Sequence, residues 1–279
     1  MSHNYGLIGE KLGHSISPMI HDEIFSYLSI IGNYNIYEIP KENLSNEFLK
    51  FKYSDISGLN VTIPYKVEVI KYLDSLDRKA EIIGSINTIS FKEGRVVGYN
   101  TDFDGISFTF AKNHIKISKE SSVVILGSGG ASHAVLQYVT DNGVEDITFV
   151  VRDRIRASNS NNKLKKYKLL DYTELDLIEK KDVLINTTPC GMYPDVNSSP
   201  VPLKFLEGFS FVFDLIYNPY KTILLKYCDE LNIKSSNGLY MLVGQAVAAE
   251  EIWNNIKLSL KDIDIIYEKV LKKGDFIAK

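Results

Sequence analysis

The chain has 279 residues, of which 44% are hydrophobic and 24% charged, with a net charge of −3. That balance fits a soluble globular protein of about two domains, and it carries no basic footprint for nucleic acid or an anionic membrane. No apolar run reaches about 18 residues, Met1–Tyr5 lacks the basic and apolar regions of a signal peptide, and Cys190 and Cys228 have no CxxC spacing; the expectation is a cytoplasmic protein without disulfides.

In chain order, Tyr5–Gly9 reads as a short strand, and apolar positions from Pro18 to Ile31 recur at helical spacing, with Ser17 as the expected N-cap. Tyr34–Ile39 reads as a strand, Glu42–Lys50 as a helix, and Ser57–Ile63 as a buried strand. Pro64 is then expected to open a helix over Lys66–Leu76, which puts Lys66 in a first helical turn, where cations are disfavoured by the helix dipole. Asn60, Thr62 and Lys66 crowd donors and acceptors into that corner, a good arrangement for holding a polyhydroxylated small molecule. Lys92-Glu-Gly94 reads as the turn of a hairpin between Ile86–Phe91 and Arg95–Tyr99.

A second unit begins near residue 105. Ser122–Leu126 is a buried strand, and Gly127-Ser-Gly-Gly-Ala-Ser132 follows it and opens a helix ending by Gly143, the context in which a glycine turn cradles a dinucleotide. There Gly127 serves the tight turn, Gly129 the close approach of a pyrophosphate, and the helix N-terminus supplies donors. Strands are expected at Ile147–Val151, Val183–Asn186 and Phe211–Leu215, and helices at Thr222–Leu231, Leu239–Asn255 and Leu260–Lys272; residues 158–168 read as a polar surface stretch. The alternation of strands and helices predicts an α/β fold with mostly parallel sheets.

Arg152-Asp-Arg-Ile-Arg156 stands where a dinucleotide unit selects its cofactor. Arg152 after the strand, with Arg154 and Arg156 adding charge, favours NADP, while Asp153 could accept from a free ribose hydroxyl and admit NAD. Asp102, in Asn100-Thr-Asp-Phe-Asp-Gly105, becomes chemically interesting if it pairs in space with Lys66; Asp104 reads as a helix cap. His14 and His21 invite a metal reading, but no third ligand stands at a recognisable spacing, so no metal is expected. Ser15 has no evident structural duty and is a candidate to face a ligand.

Together these stretches resemble the shikimate dehydrogenase family. The resemblance runs the full length, through Gly6–Gly9 with His14–Pro18, Gly58–Lys66, Ile83–Thr88, Gly98–Asp102, Gly127–Ala131, Asn186–Met192, Asp214–Pro219 and Asn237–Gln245. It implies reversible NADPH-dependent reduction of 3-dehydroshikimate to shikimate in aromatic amino-acid (chorismate) biosynthesis. It further implies Lys66 and Asp102 as the catalytic pair, and Ser15, Ser17, Asn60, Thr62, Asn87, Tyr217 and Gln245 as substrate ligands. Gly127, Ser128, Gly129, Gly130 and Ala131 would hold the cofactor diphosphate and Arg152 the adenosine ribose phosphate, with Met192, Gly238 and Met241 near the nicotinamide. In protonating the alkoxide left by hydride addition to a ketone, a donor such as Lys66 must lie within hydrogen-bond reach.

The chain departs from the family pattern at Val151, where Asn is frequent, at Asp153, where the residue is commonly non-acidic, at Ser85 for a frequent Ala, and at Lys11 for a frequent Pro; Cys190 is a variable position. The expected architecture is a two-domain α/β protein. A substrate domain over 1–104, with 238–279 returning to it, would flank a Rossmann-like NADP-binding domain over 105–237. The expected partner is a small-molecule substrate, with no nucleic acid and no membrane, in a monomer or homodimer. The competing readings are a quinate/shikimate dehydrogenase using NAD and a non-catalytic nucleotide-binding sensor, against which the presence of both Lys66 and Asp102 argues.

Overall fold

The computed structural model describes residues 3–13, 15–160 and 162–274, and within these the chain divides into two compact units. Unit 1 comprises Met1–Phe108 with Leu242–Gly274, and unit 2 comprises Thr109–Met241.

Unit 1 runs β1 (His3–Gly9), α1 (Ser17–Leu28), β2 (Gly32–Glu38), α2 (Leu44–Lys52), β3 (Ile56–Val61), β4 (Ser75–Leu76), α3 (Arg78–Ile83), β5 (Thr88–Lys92), β6 (Arg95–Tyr99) and the start of α4 (Asp102–Lys112). Its six strands form one mixed sheet in the order β2-β1-β3-β5-β6-β4, with β1, β2 and β3 parallel and the β5–β6 hairpin antiparallel. Strand alternation sorts the core into two faces. On β1, Tyr5 and Leu7 pack with Phe25, Tyr34 and Trp253, while Ile8 packs with Phe48, Leu59, Val61 and Tyr65. Glu93 and Gly94 both adopt positive φ in the hairpin turn, as a tight two-residue connection requires.

Unit 2 runs β7 (Ser122–Leu126), α5 (Gly130–Asp141), β8 (Asp146–Val150), α6 (Arg154–Ser160), β9 (Lys168–Leu170), β10 (Val183–Asn186), β11 (Phe211–Asp214), α7 (Ile223–Glu230) and β12 (Lys234–Ser236), then enters α8 (Leu239–Asn254); α9 (Leu260–Lys273) follows in unit 1. All pairings of its sheet are parallel, in the order β12-β11-β10-β7-β8-β9. This is the doubly wound Rossmann order, whose strand direction of travel reverses between β7 and β10. The central strands β7, β10 and β11 are buried on both faces and read accordingly as apolar runs such as Ser122-Val-Val-Ile-Leu126. Thr222 caps α7, and a Ser259–Asp262 capping box opens α9.

Four local expectations are corrected. No helix covers Lys66–Leu76: after a run of turns a 3₁₀ helix spans Glu68–Tyr72 and β4 follows. The segment Val67-Glu-Val-Ile-Lys-Tyr72 is rich in β-branched and aromatic residues, whose χ1 freedom suffers in an α-helix, and the Tyr65 and Val69 side chains are buried in the unit 1 core. Ser17 lies inside α1 and is not its cap; its backbone N–H donates to Ser15 Oγ at 3.3 Å, so the earlier serine takes the terminal duty. Asp104 does not cap α4 but pairs with Lys79, its Oδ1 accepting from Nζ at 2.7 Å. Residues 158–168 are more than a polar surface, because Leu164 is fully buried in unit 2. Among the described residues no helix is long and apolar enough to cross a membrane, and Cys190 and Cys228 are both free.

Candidate active site

Lys66 follows β3 in a turn held from two sides. The neighbouring Tyr65 is fully buried and donates its hydroxyl to the Ile39 carbonyl, and the Lys66 carbonyl accepts from Ile86 N at 2.8 Å. Asp102 is the first residue of α4, where the helix N-terminus favours a carboxylate. Lys66 Nζ donates to Asp102 Oδ2 at 2.6 Å, with side chains 17% and 9% exposed. The spatial pairing that sequence leaves open is therefore present.

A polar cluster surrounds the pair. Asn87 Nδ2 donates to Asp102 Oδ1 at 3.0 Å and to Gln245 Oε1 at 3.2 Å. Asn87 Oδ1 accepts from the Thr101 backbone N–H at 2.7 Å, which fixes the amide orientation, since a backbone N–H can only donate. Gln245 comes from α8, 158 residues along the chain from Asn87, and its Nε2 donates to Leu242 O. Asn60 sits deeper than a ligand-facing residue. It is buried, its Oδ1 accepts from the Tyr34 hydroxyl at 2.7 Å, and its Nδ2 donates to Asn87 O and Thr88 Oγ1. Asn60 thus supports the site from behind. Ser15 and Ser17 are linked hydroxyl to hydroxyl at 3.1 Å, and Thr62 is half-buried at the end of β3 with its N–H donated to Ile8 O.

The nucleotide-type features gather within unit 2. A cavity of about 1070 Å³ is lined by Gly127, Ser128 and Gly129, by Arg152, Asp153 and Arg156, and by the Thr187–Cys190 segment. The loops after β7 and β10 both contribute, which places the cavity at the sheet's switch point, where ligands of such folds bind. Gly127 has φ +92°, a conformation that strains any side chain. A Cβ built on Gly129 or Gly130 would meet nothing within 4 Å, so the backbone at the start of α5 stands open to a ligand. Ala131 is the second residue of that helix, and Ser132 is buried with its hydroxyl donated to Gly129 O.

The three arginines divide. Arg154 turns away to Asp171 and Glu174, whereas Arg152 and Arg156 line the cavity. Asp153, the expected complication, caps α6: its Oδ1 accepts from Arg156 N at 2.9 Å. The open glycine turn and two cavity-lining guanidiniums suit a phosphorylated dinucleotide. Met192 is exposed, Met241 is buried, Gly238 donates its N–H to Ile216 O at 2.9 Å, and Tyr217 is half-buried, its hydroxyl held above the ordinary tyrosine range by burial. Tyr172 and Thr187 also line the cavity. Thr187 belongs to a motif already visible in the sequence, whereas nothing local in the sequence marks Tyr172.

Asp214 was visible only as part of a motif, and the structure gives it a task. It ends β11 fully buried, accepting from Asn186 Nδ2, Ile216 N and Thr222 Oγ1, while Asn186 Oδ1 in turn accepts from Thr188 N. Burial pushes its carboxyl up from 3.8 to about 6, against those three hydrogen bonds. A group with a raised folded pKa contributes stability that is complete below about 3.8 and lost as pH rises through about 6. Asp214→Asn removes that titration. Raising the pH from 4 to 7 should shift the variant's stability relative to wild type by up to about 3 kcal/mol in the variant's favour. Parallel melting temperatures for the two proteins across that range would refute it.

His21 Nδ1 lies 2.6 Å from Glu250 Oε1, and His14 lies outside the described residues. Among the described residues no group of three or more potential metal ligands occurs.

Comparison with known proteins agrees in both units. Residues 7–89 match the model of the shikimate dehydrogenase substrate binding domain, and residues 109–193 that of shikimate / quinate 5-dehydrogenase. The chain belongs to the shikimate dehydrogenase family. It is 42% identical over 271 residues to the shikimate dehydrogenase (NADP(+)) of Clostridium perfringens, covering 95% of this chain and 97% of the relative. It is also similar to the solved chorismate mutase/shikimate 5-dehydrogenase fusion protein of Clostridium acetobutylicum, with a TM-score of 0.93, 46% identity and 98% of both chains covered. The shikimate 5-dehydrogenase of Listeria monocytogenes, solved in complex with shikimate and NAD, matches with a TM-score of 0.85, 28% identity, and 95% and 96% of the two chains covered.

Proposed function

We infer that this shikimate dehydrogenase family member is an NADP-dependent oxidoreductase that interconverts 3-dehydroshikimate and shikimate. The observation that carries the reading is the Lys66–Asp102 hydrogen bond of 2.6 Å, set among the polar side chains of Asn87 and Gln245. Hydride transfer is the chemistry that NADP supplies when bound. The chain's own residues do the rest. In the reductive direction Lys66 Nζ donates a proton to the oxygen that becomes the hydroxyl, and in the oxidative direction it takes that proton back. Asp102 holds the ammonium in place and offsets its charge. Ser15, Ser17, Thr62, Asn87, Tyr217 and Gln245 bind the substrate's hydroxyl and carboxylate groups, and Asn60 supports Asn87 from below.

In unit 2, Gly127–Ala131 hold the diphosphate, and Met192, Gly238 and Met241 lie on the nicotinamide side. Arg152 receives the adenosine ribose phosphate. Its guanidinium lines the cavity while the Asp153 carboxylate is engaged by the α6 backbone, and this supports NADP over NAD. We place the reaction in the cytoplasm, with small-molecule partners only, in a monomer or homodimer; two free cysteines and a net charge of −3 support the compartment and the absence of a nucleic-acid partner.

Initial rates with shikimate and quinate, each with NADP and with NAD, test the reading. Shikimate with NADP should lead, and Arg152→Ala should raise KM for NADP by about tenfold or more while leaving KM for NAD little changed, because a guanidinium–phosphate contact contributes on the order of 1.5–3 kcal/mol. Equal rates with NAD would remove the phosphate role of Arg152, and no turnover with any pair would sink the enzymatic reading.

A further inference from the structure

Behind the Lys66–Asp102 pair, unit 1 carries a buried polar assembly that the proposed reaction does not use. His21 on α1 and Glu250 on α8 are both fully buried, and His21 Nδ1 meets Glu250 Oε1 at 2.6 Å. Glu250 Oε2 accepts from Asn254 Nδ2, whose Oδ1 accepts from the Tyr5 hydroxyl. The His21 ring lies flat on the ring of Tyr34, with centroids 3.8 Å apart and planes 10° from parallel. A buried carboxylate and imidazole are costly to place in a core unless each is well partnered. Here they bind two helices and fix one tyrosine ring.

That ring points its hydroxyl at the site. Tyr34 donates to Asn60 Oδ1 at 2.7 Å, and burial, with the Glu250 charge second, holds the phenol well above its ordinary range, so it stays a donor. The Asn60 and Asn87 amide orientations agree with this and are also fixed by two backbone groups, the Asn87 carbonyl and the Thr101 N–H. Asn60 Nδ2 faces Asn87 O, which can only accept, and also donates to Thr88 Oγ1. The Thr88 hydroxyl, having accepted from Asn60, lies 3.2 Å from Asn87 Oδ1 and 3.1 Å from Thr101 Oγ1, and Asn87 Oδ1 also accepts from the Thr101 N–H and hydroxyl. Asn87 Nδ2 donates to Asp102 Oδ1, and Asp102 Oδ2 holds Lys66. The links from Tyr34 as far as Asp102 are buried.

We propose that Tyr34 is a positioning residue for the Lys66–Asp102 pair, its ring clamped by His21–Glu250 and its hydroxyl anchoring Asn60, which braces Asn87 through the Asn87 carbonyl and Thr88. The inference rests on the roles assigned above to Lys66 and Asp102. Without the hydroxyl, Asn60 Oδ1 loses the side-chain donor that faces it, and the bonds that Asn60 gives to Asn87 O and Thr88, and with them the donor to Asp102, are less firmly held.

Tyr34→Phe keeps the ring against His21 and deletes only the hydroxyl. Its kcat for shikimate oxidation should fall about tenfold, while KM for NADP, whose cavity belongs to unit 2, should not move. Thr88→Val cuts the relay one link nearer Asn87 and should do the same, which keeps the test standing if the tyrosine variant does not fold. The double variant should be slower than either single one by less than the product of their effects, because the two groups act on Asn87 through the shared Asn60 amide. Multiplying effects, or a kcat for either single variant within about twofold of wild type despite a lowered melting temperature, would overturn the proposal and leave a structural role only. A readout independent of turnover accompanies these: in protein carrying ¹⁵N-lysine, the Lys66 Nζ resonance should shift or broaden in Tyr34→Phe. An unchanged resonance would overturn the proposal, whereas absence of turnover in the wild type would sink the functional reading alone.

Discussion

Lys66→Ala is expected to cut kcat for shikimate oxidation by about 10²–10⁴-fold, the range lost when a positioned proton-transfer group is removed. The pair holds this group at 2.6 Å from Asp102, and the turn that carries it is pinned by buried Tyr65. The cofactor should bind as before, since every residue lining the cavity proposed for it belongs to unit 2. Steady-state rates and a fluorescence titration with NADP separate the two effects. A loss smaller than about tenfold would remove Lys66 from proton transfer. A loss of NADP binding in step with kcat would point to damage beyond the site.

The largest stability effect is expected at Trp253. This side chain stacks on Tyr5 at 4.6 Å, lies near His21, and donates its indole N–H to Ile89 O at 2.9 Å across the sheet. Trp253→Ala should destabilise unit 1 by about 3–5 kcal/mol through lost burial and the cavity left behind. Trp253→Phe keeps most of the apolar contact and should cost about 1–2 kcal/mol, mainly the lost hydrogen bond. Trp253 is the only tryptophan, so circular dichroism in urea, not intrinsic tryptophan fluorescence, is the right probe. With two units, separate transitions are expected, and only that of unit 1 should move. A shift of less than about 1 kcal/mol in Trp253→Ala would mean that the core closes over the gap.

The sequence was most readable where function imposes a local pattern. The buried strand before Gly127, the glycines themselves and Arg152 after β8 occupy consecutive positions, and the observed turn, cavity and arginine follow that order. The β5–β6 hairpin was equally plain from its Glu-Gly turn. Reading failed where apolar spacing imitated a helix. From Glu68 to Tyr72 the chain forms a 3₁₀ turn leading to β4, because burial of Tyr65 and Val69 and the β-branched neighbours outweigh a weak helical period. Ser17 is the first residue of α1 and not its cap, because a cap depends on backbone geometry that serine content alone does not reveal. The His21–Glu250 contact spans 229 residues and has no local signature, and neither has the Tyr34–Asn60 hydrogen bond, whose partners lie 26 residues apart.

The chain passes from unit 1 to unit 2 within α4 and returns within α8, so unit 1 is assembled from both ends of the sequence. Its first 108 residues include the whole of its sheet, yet the partners of Tyr5, His21 and Asn87 are Trp253, Glu250 and Gln245. On the ribosome the order of completion is therefore reversed. Unit 2, continuous in sequence, is fully synthesised first, while the amino-terminal sheet waits roughly 7–30 s for α8 to emerge at ordinary elongation rates. During that interval one apolar face of the nascent sheet lacks its cover. The part of the chain made first is thus the part most in need of chaperone protection, and a premature stop before α8 would yield a finished nucleotide-type domain tethered to an unfinished one.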